Sequence, residues 1–407
     1  MRTLQRLALG RKPLGRSAIG LQFVAFVAFV AAGACKDDAP APADDGDAGG
    51  TIGGFGSDKK KDSGVEVRIP CTKDPAYYDV PGDECDNDND GIVDNPPTCD
   101  GNDDPNPAVA MARAMGICDD VSKRGYGLVS AKVTRGFGRN DAVANEQHAL
   151  VPKFGNVVLP REGKKMVLMS TGYAQEFNGI EGADFSGVPW EPQVQDGKNG
   201  LPPGFPKAAN GCDQRTETRD VIALHLELKA PKNSSGFAFD FDFYTAEWPQ
   251  YICTDYNDGF IAYVTAGSFN GGAGENVSFD SKGNPVSVNN GFFDRCVPGI
   301  PLACRTPNEG TSKCGAGTGE LEGTGFGIQD TIALPTCGGT AKSTKGGATG
   351  WLSSKAPIAA EEQFTVDFVI WDTKDTQLDS SVLVDNFRWV LGNVPVEPVT
   401  ERPPDVK

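Results

Sequence analysis

Four stretches of this chain alternate apolar and polar residues with a period of two. In 221–228, Ile222, Leu224, Leu226 and Leu228 fall on one side, and Val221, Ala223, His225 and Glu227 on the other. In 237–244, Phe237, Phe239, Phe241 and Phe243 share a side opposite Asp240 and Asp242. In 364–371, Phe364, Val366, Phe368 and Ile370 alternate with Thr365 and Asp367, and 382–389 gives a further strand. Successive side chains of a strand point to opposite faces, so this period predicts strands with one apolar and one polar face. Such strands belong to antiparallel sheets packed face to face. The expected fold is therefore mainly β: an antiparallel, jelly-roll-like β-sandwich spanning 164–395.

Outside those stretches the pattern changes. Residues 107–118 predict one short helix that ends near Gly116, and 107–163 reads as that helix plus connecting strands. Residues 296–350, rich in Gly and Cys, read as disulfide-tied loops between strands, and 396–407 as a frayed tail. A single continuous apolar run, 21–34, follows a leader carrying Arg2, Arg6, Arg11, Lys12 and Arg16 and no acid. A basic leader, a short apolar core and small residues before Cys35 read as a secretory signal over 1–34. The sequence Val30-Ala31-Ala32-Gly33-Ala34-Cys35 resembles the lipobox of bacterial lipoproteins, with Ala32 where Leu is usual. That resemblance makes Cys35 the lipidated first residue and the membrane a partner. Lys36 replaces the Asp that marks inner-membrane retention, so the outer membrane is the expected address. Residues 35–67 lack apolar periodicity and read as a disordered tether.

Charge and cysteine content narrow the function. The net charge of −17 repels phosphate backbones and argues against a nucleic-acid partner. Of eleven cysteines, Cys35 is set aside for lipid. The ten others, Cys71, Cys85, Cys99, Cys118, Cys212, Cys253, Cys296, Cys304, Cys314 and Cys337, make an even set that predicts a disulfide framework of open connectivity. Two histidines and no Cys-x-x-Cys leave no convincing zinc cluster.

Within the Asp- and Cys-rich segment 68–106, Cys85-Asp86-Asn87-Asp88-Asn89-Asp90-Gly91-Ile92-Val93-Asp94 matches the front of a calcium loop. Alternation aims Asp86, Asp88 and Asp90 into one concavity, Gly91 allows the sharp turn, Ile92 offers its carbonyl and Asp94 an acid. Position twelve is Pro97 rather than Glu, so the loop is not a complete EF-hand. It more closely resembles the thrombospondin type 3 loop. That resemblance implies completion by Asp100, Asp103 and Asp104, and closure by a bond between Cys85 and Cys99.

A second set of motifs lies in the sandwich: Glu247-Trp248-Pro249, then Asn257-Asp258-Gly259-Phe260, then Asp372 to Ser380 with Asp375 and Asp379 between. Together with the Phe-alternating strand, these resemble the choice-of-anchor L domain of exported bacterial proteins over roughly 165–393. The resemblance implies a surface module and carries no enzymatic activity. Read from the residues, Glu247, Asn257, Asp258, Asp375 and Asp379 stand at strand ends that a sandwich brings together, where hard oxygen ligands suit Ca²⁺.

Catalytic signatures are weak. His148 and His225 are the only imidazoles, with His225 expected at the surface, and neither a Gly-x-Ser-x-Gly elbow nor a Walker loop occurs. The leading expectation is a non-enzymatic, calcium-stabilised, lipid-anchored surface protein that binds a glycan or protein. Trp248, Tyr251 and Tyr256 are its candidate contact aromatics. The alternative is a glycosidase-type hydrolase using loop carboxylates.

Overall fold

The computed structural model describes residues 71–94, 99–100, 104–175, 200–207, 212, 217–280, 283–289, 292–302, 304, 310–392 and 397–403. The signal, Cys35, the tether, Pro97 and Asp103 lie outside them.

Two helices come first among the described residues, α1 (Pro107–Ala114) and α2 (Val121–Arg124). Pro107 opens α1 and the Asn106 side chain caps it by accepting from the Ala108 amide at 3.0 Å. Strands follow as β1 (Gly127–Thr134), β2 (His148–Val151), β3 (Met166–Ser170), β4 (Thr218–Lys229), β5 (Gly236–Thr245) and β6 (Gly259–Thr265). Shorter ones are β7 (Glu275–Asn276), β8 (Val286–Ser287), β9 (Pro301–Leu302), β10 (Gly310–Thr311), β11 (Gln329–Ala333), β12 (Thr340–Thr344) and β13 (Gly347–Ala348). The last four are β14 (Leu352–Pro357), β15 (Gln363–Thr373), β16 (Ser380–Val390) and β17 (Val399–Glu401).

The long strands form two sheets. One has the order β1-β4-β15-β6-β7, with β8 also on β6; the other has the order β17-β14-β5-β16-β3-β2, with β13 on β5. Every strand pair of both is antiparallel. The apolar parities meet between them. Phe239 packs edge-on against Phe368 at 4.9 Å, Phe241 lies 5.1 Å from Phe260, and Phe237 stacks on Phe364 at 5.3 Å. Fully burying each such ring contributes about 1.5–3 kcal/mol. The expected mainly β, antiparallel sandwich is the fold.

The polar faces of the central strands are covered. On β5, Asp240 and Asp242 are buried. Loops lay Phe154, Val158, Leu321 and Phe326 over that outer face, where they pack with Tyr244 and Leu383. On β4, Val221 and Ala223 sit in a further cluster with Leu201, Tyr263 and Trp371. Asp240 is tolerated there because Arg161 Nε (3.2 Å), Arg388 Nη1 (3.1 Å) and Asn386 Nδ2 (2.9 Å) all donate to it. His225 is half-buried, with Nδ1 2.8 Å from Asp367 Oδ1, and that contact raises its pKa.

Two other expectations change. Part of the predicted tail is β17, paired through Ser353 with Glu401 and Lys355 with Val399. The ten cysteines form five bonds: Cys71 with Cys85, Cys99 with Cys118, Cys212 with Cys253, Cys296 with Cys314, and Cys304 with Cys337. No bond joins Cys85 to Cys99, because Cys99 is drawn to Cys118 just beyond α1 and leaves Cys85 to Cys71.

Candidate metal sites

In the N-terminal loop, ligand oxygens of Asp86, Asp88 and Asp90 lie within 4.8 Å of one another. The turn makes itself: the Asp90 amide donates to Asp86 Oδ1 (3.0 Å) and Asp88 Oδ1 (3.2 Å), and Gly91 takes φ 93°. Side-chain cations already occupy this concavity. Lys73 Nζ is 2.8 Å from Asp86 Oδ2, and Arg124 Nη2 is 2.9 Å from Asp88 Oδ2 and 3.2 Å from Asp90 Oδ2. A metal ion here has to compete with Arg124.

Asp94, Asp100 and Asp104, also read into this loop, stand outside that carboxylate group. Asp94 Oδ1 accepts the amides of Gly82, Asp83 and Glu84 at 3.0–3.1 Å, so its carboxylate caps a turn. Ile92 has an exposed side chain. Asp100 accepts the amides of Lys164 and Lys165, and Asp104 that of Asn106 at 2.8 Å. The thrombospondin-type completion is therefore not assembled by Asp100 or Asp104. A buried acid that sequence reasoning missed, Asp79, supports the loop by accepting from the Asn87 amide at 2.8 Å.

The second group lies at one end of the sandwich. Glu247 follows β5, Asn257 and Asp258 precede β6, Asp372 lies one residue before the end of β15, and Asp375 and Asp379 lie in the turn into β16. The turn bends sharply, with Lys374 at φ 81° and Leu378 at φ 62°, conformations that L-residues adopt at a cost. Glu247, Asp258, Asp372 and Asp379 are only 1–2% exposed. Asp258 is gripped from both sides: the Thr373 amide donates to Oδ1 at 3.0 Å and the Ser380 hydroxyl to Oδ2 at 2.7 Å. Asn257 serves as a clamp, its Oδ1 accepting from the Asn289 amide at 3.1 Å and its carbonyl from Thr373 Oγ1 at 2.9 Å. Gly172 is required here, since a Cβ on it would lie 2.0 Å from Asp379 Oδ2.

The electrostatics of this group are severe. Burial first, and neighbouring carboxylates second, push Glu247 and Asp372 well above the usual carboxylate range. Burial also pushes Asp258 up to about 6, against the hydrogen bonds that hold it. Two like charges about 4 Å apart repel by roughly 4 kcal/mol at an effective dielectric near 20. Asp375, half-buried, is raised by burial, while the charges of Lys374 and Arg219 act against that rise. Asp372 and Asp220 were absent from the ligand set read from the sequence. The available signal was parity: Asp372 continues the inward series of Phe364, Val366, Phe368 and Ile370, where a carboxylate cannot reach water.

Residues 162–387 match the model of the choice-of-anchor L domain. The chain belongs to the choice-of-anchor L domain family. This choice-of-anchor L domain thus contains the whole sandwich-end acid group and excludes the N-terminal aspartate loop. No curated protein and no solved structure matches the chain.

The aromatics near these loops divide. Trp248 is buried and stacks on Phe293 at 4.1 Å, which removes it from the expected contact surface. Tyr251 and Tyr256 are half-buried, 5.2 Å apart and edge-on, with Lys374 Nζ 4.5 Å from the Tyr256 ring centre. No described helix is long and apolar enough to cross a membrane.

Proposed function

We propose that this chain is an exported, non-enzymatic protein displayed at the outer-membrane surface, tethered by a lipid on Cys35 and braced by calcium at its acidic loops. It presents the sandwich end to a glycan or protein partner through Tyr251, Tyr256 and the loops around them. The observation that carries the reading is membership of a surface-associated family whose members are not enzymes. Five disulfides within one body support an oxidising exterior. Residues 35–67 supply the stand-off between lipid and body.

The glycosidase alternative draws less support. One of its acids must reach the glycosidic oxygen and the other the anomeric carbon or the attacking water, and Glu247, Asp258 and Asp372 are too deeply covered to do so. Such burial suits bracing rather than turnover. The lipid is tested by growing cells with a labelled fatty acid. Label is expected on the wild-type protein and absent from Cys35→Ala, which should leave the membrane fraction. An unlabelled wild-type protein, or a Cys35→Ala variant that stays with membranes, defeats the anchor.

A further inference from the structure

We propose that a cleft between the edge strands of the two sheets binds a short acidic saccharide, with Lys132 taking its carboxylate. The cleft shares no residue with the sandwich-end group, so it stands or falls independently of the loops around Tyr251 and Tyr256.

β1 ends one sheet and β2 ends the other. Residues of both, together with the start of α1, line a cleft of about 340 Å³. Small-molecule sites occupy roughly 300–1,000 Å³. Val133 and Val143, packed against the core, give it an apolar wall. Lys132, Asn140, Asn145 and His148 give it a polar one, and their side chains have no hydrogen-bond or ion-pair partner among the described residues. Asn106, at the mouth of α1, spends its Oδ1 on the helix cap and keeps its amide hydrogens. Other cations of this chain are spent: Lys73, Arg124, Lys232, Lys355 and Lys374 each meet a carboxylate.

The chemistry of the lining selects the ligand. Each carboxamide donates and accepts at once, as a sugar hydroxyl does. Burial holds His148 towards its neutral form, in which one ring nitrogen donates and the other accepts. No carboxylate lines the cleft, although the chain carries a net charge of −17. The adjoining Asp141 pairs with Arg139 at 2.7 Å, and neither it nor Glu146 belongs to the lining. Lys132 therefore presents an ammonium free to make a charge-assisted bond to an anionic group. A simple anion would leave the amides and the imidazole idle, and a neutral sugar would leave Lys132 idle. A saccharide of the uronate class uses both.

The test titrates the full exported chain by calorimetry with digalacturonate, with galactobiose as its neutral counterpart and with an aspartyl-aspartate dipeptide as an acidic ligand that is not a sugar. Wild type should bind digalacturonate in the millimolar range or tighter, and the other two several-fold more weakly. Lys132→Gln should weaken digalacturonate roughly tenfold, the loss of one charge-assisted hydrogen bond, and leave galactobiose unchanged. Asn140→Ala combined with Asn145→Ala should weaken both sugars. Leu159→Ser, exposed and outside the cleft, should bind as wild type. Lys132, Asn140 and Asn145 are exposed, so each variant should melt with wild type and any loss reads as binding. A wild type that does not bind digalacturonate, or that binds either comparison ligand as tightly, overturns the proposal. Unchanged affinity for digalacturonate in either cleft variant overturns it as well.

Discussion

Ser380 donates its hydroxyl to Asp258 Oδ2 at 2.7 Å, and by that bond the two sheets are tied at the loop end. Asp258 leads into β6 of one sheet, and Ser380 begins β16 of the other. Ser380→Ala removes a donor to a buried carboxyl, a loss of about 1–3 kcal/mol. The variant should melt several degrees lower by calorimetry while keeping its β-sheet circular dichroism. An unchanged melting temperature would mean that the tie contributes nothing.

Asp242 provides a pH signature separate from the acid group. Burial pushes it up to about 7, although Tyr244 donates to Oδ2 at 2.8 Å and Thr349 to Oδ1 at 3.1 Å. The native state therefore holds a proton that the unfolded chain, near 3.8, releases. Its contribution is full below about 3.8 and is lost as pH rises towards 7, on the order of a few kcal/mol. Denaturant melts at pH 4 to 8 should show a shallower decline for Asp242→Asn than for wild type. Parallel curves would place the titration elsewhere.

Arg124 blocks its own loop. Replacing it with Ala removes the ion pairs that Arg124 makes with Asp88 and Asp90. The aspartate loop should then bind Ca²⁺ roughly tenfold more tightly, the effect of removing about 1.4 kcal/mol of competing charge. Calorimetry that finds no gain would remove the loop from the list of cation sites.

Phe241 sits where the two apolar parities meet. Phe241→Ala should cost about 3–5 kcal/mol in denaturant unfolding. Leu159→Ser, at a side chain 61% exposed, should change stability by less than about 0.5 kcal/mol. The contrast checks the sandwich assignment independently of any ion.

Much of the sandwich was legible because period-two alternation is a local signal. Phe237, Phe239, Phe241 and Phe243 on one strand, and Phe364, Val366 and Phe368 on another, name the inner face without further information. What covers the outer face is not local. Nothing near Asp240 or Asp242 announces that loops from 154–158 and 321–326 will fold over them. Disulfide pairing fails for the same reason, since Cys85 lies close to Cys99 in sequence but bonds to Cys71. The acid group was half legible: the loop positions Glu247, Asp258 and Asp379 stood out as motifs. Asp372 was hidden at the end of a strand, where only its parity marks it as buried. β17 was missed because three residues within a Pro-rich stretch carry too little pattern to read.

Surface display is the claim on which the functional account rests, and protease treatment of intact cells tests it most directly. The account predicts that the wild-type body is cleaved from unbroken cells while cytoplasmic markers survive, and that the residual protein partitions with outer membranes. Full protection in intact cells, with recovery in the soluble cytoplasmic fraction after lysis, would contradict it.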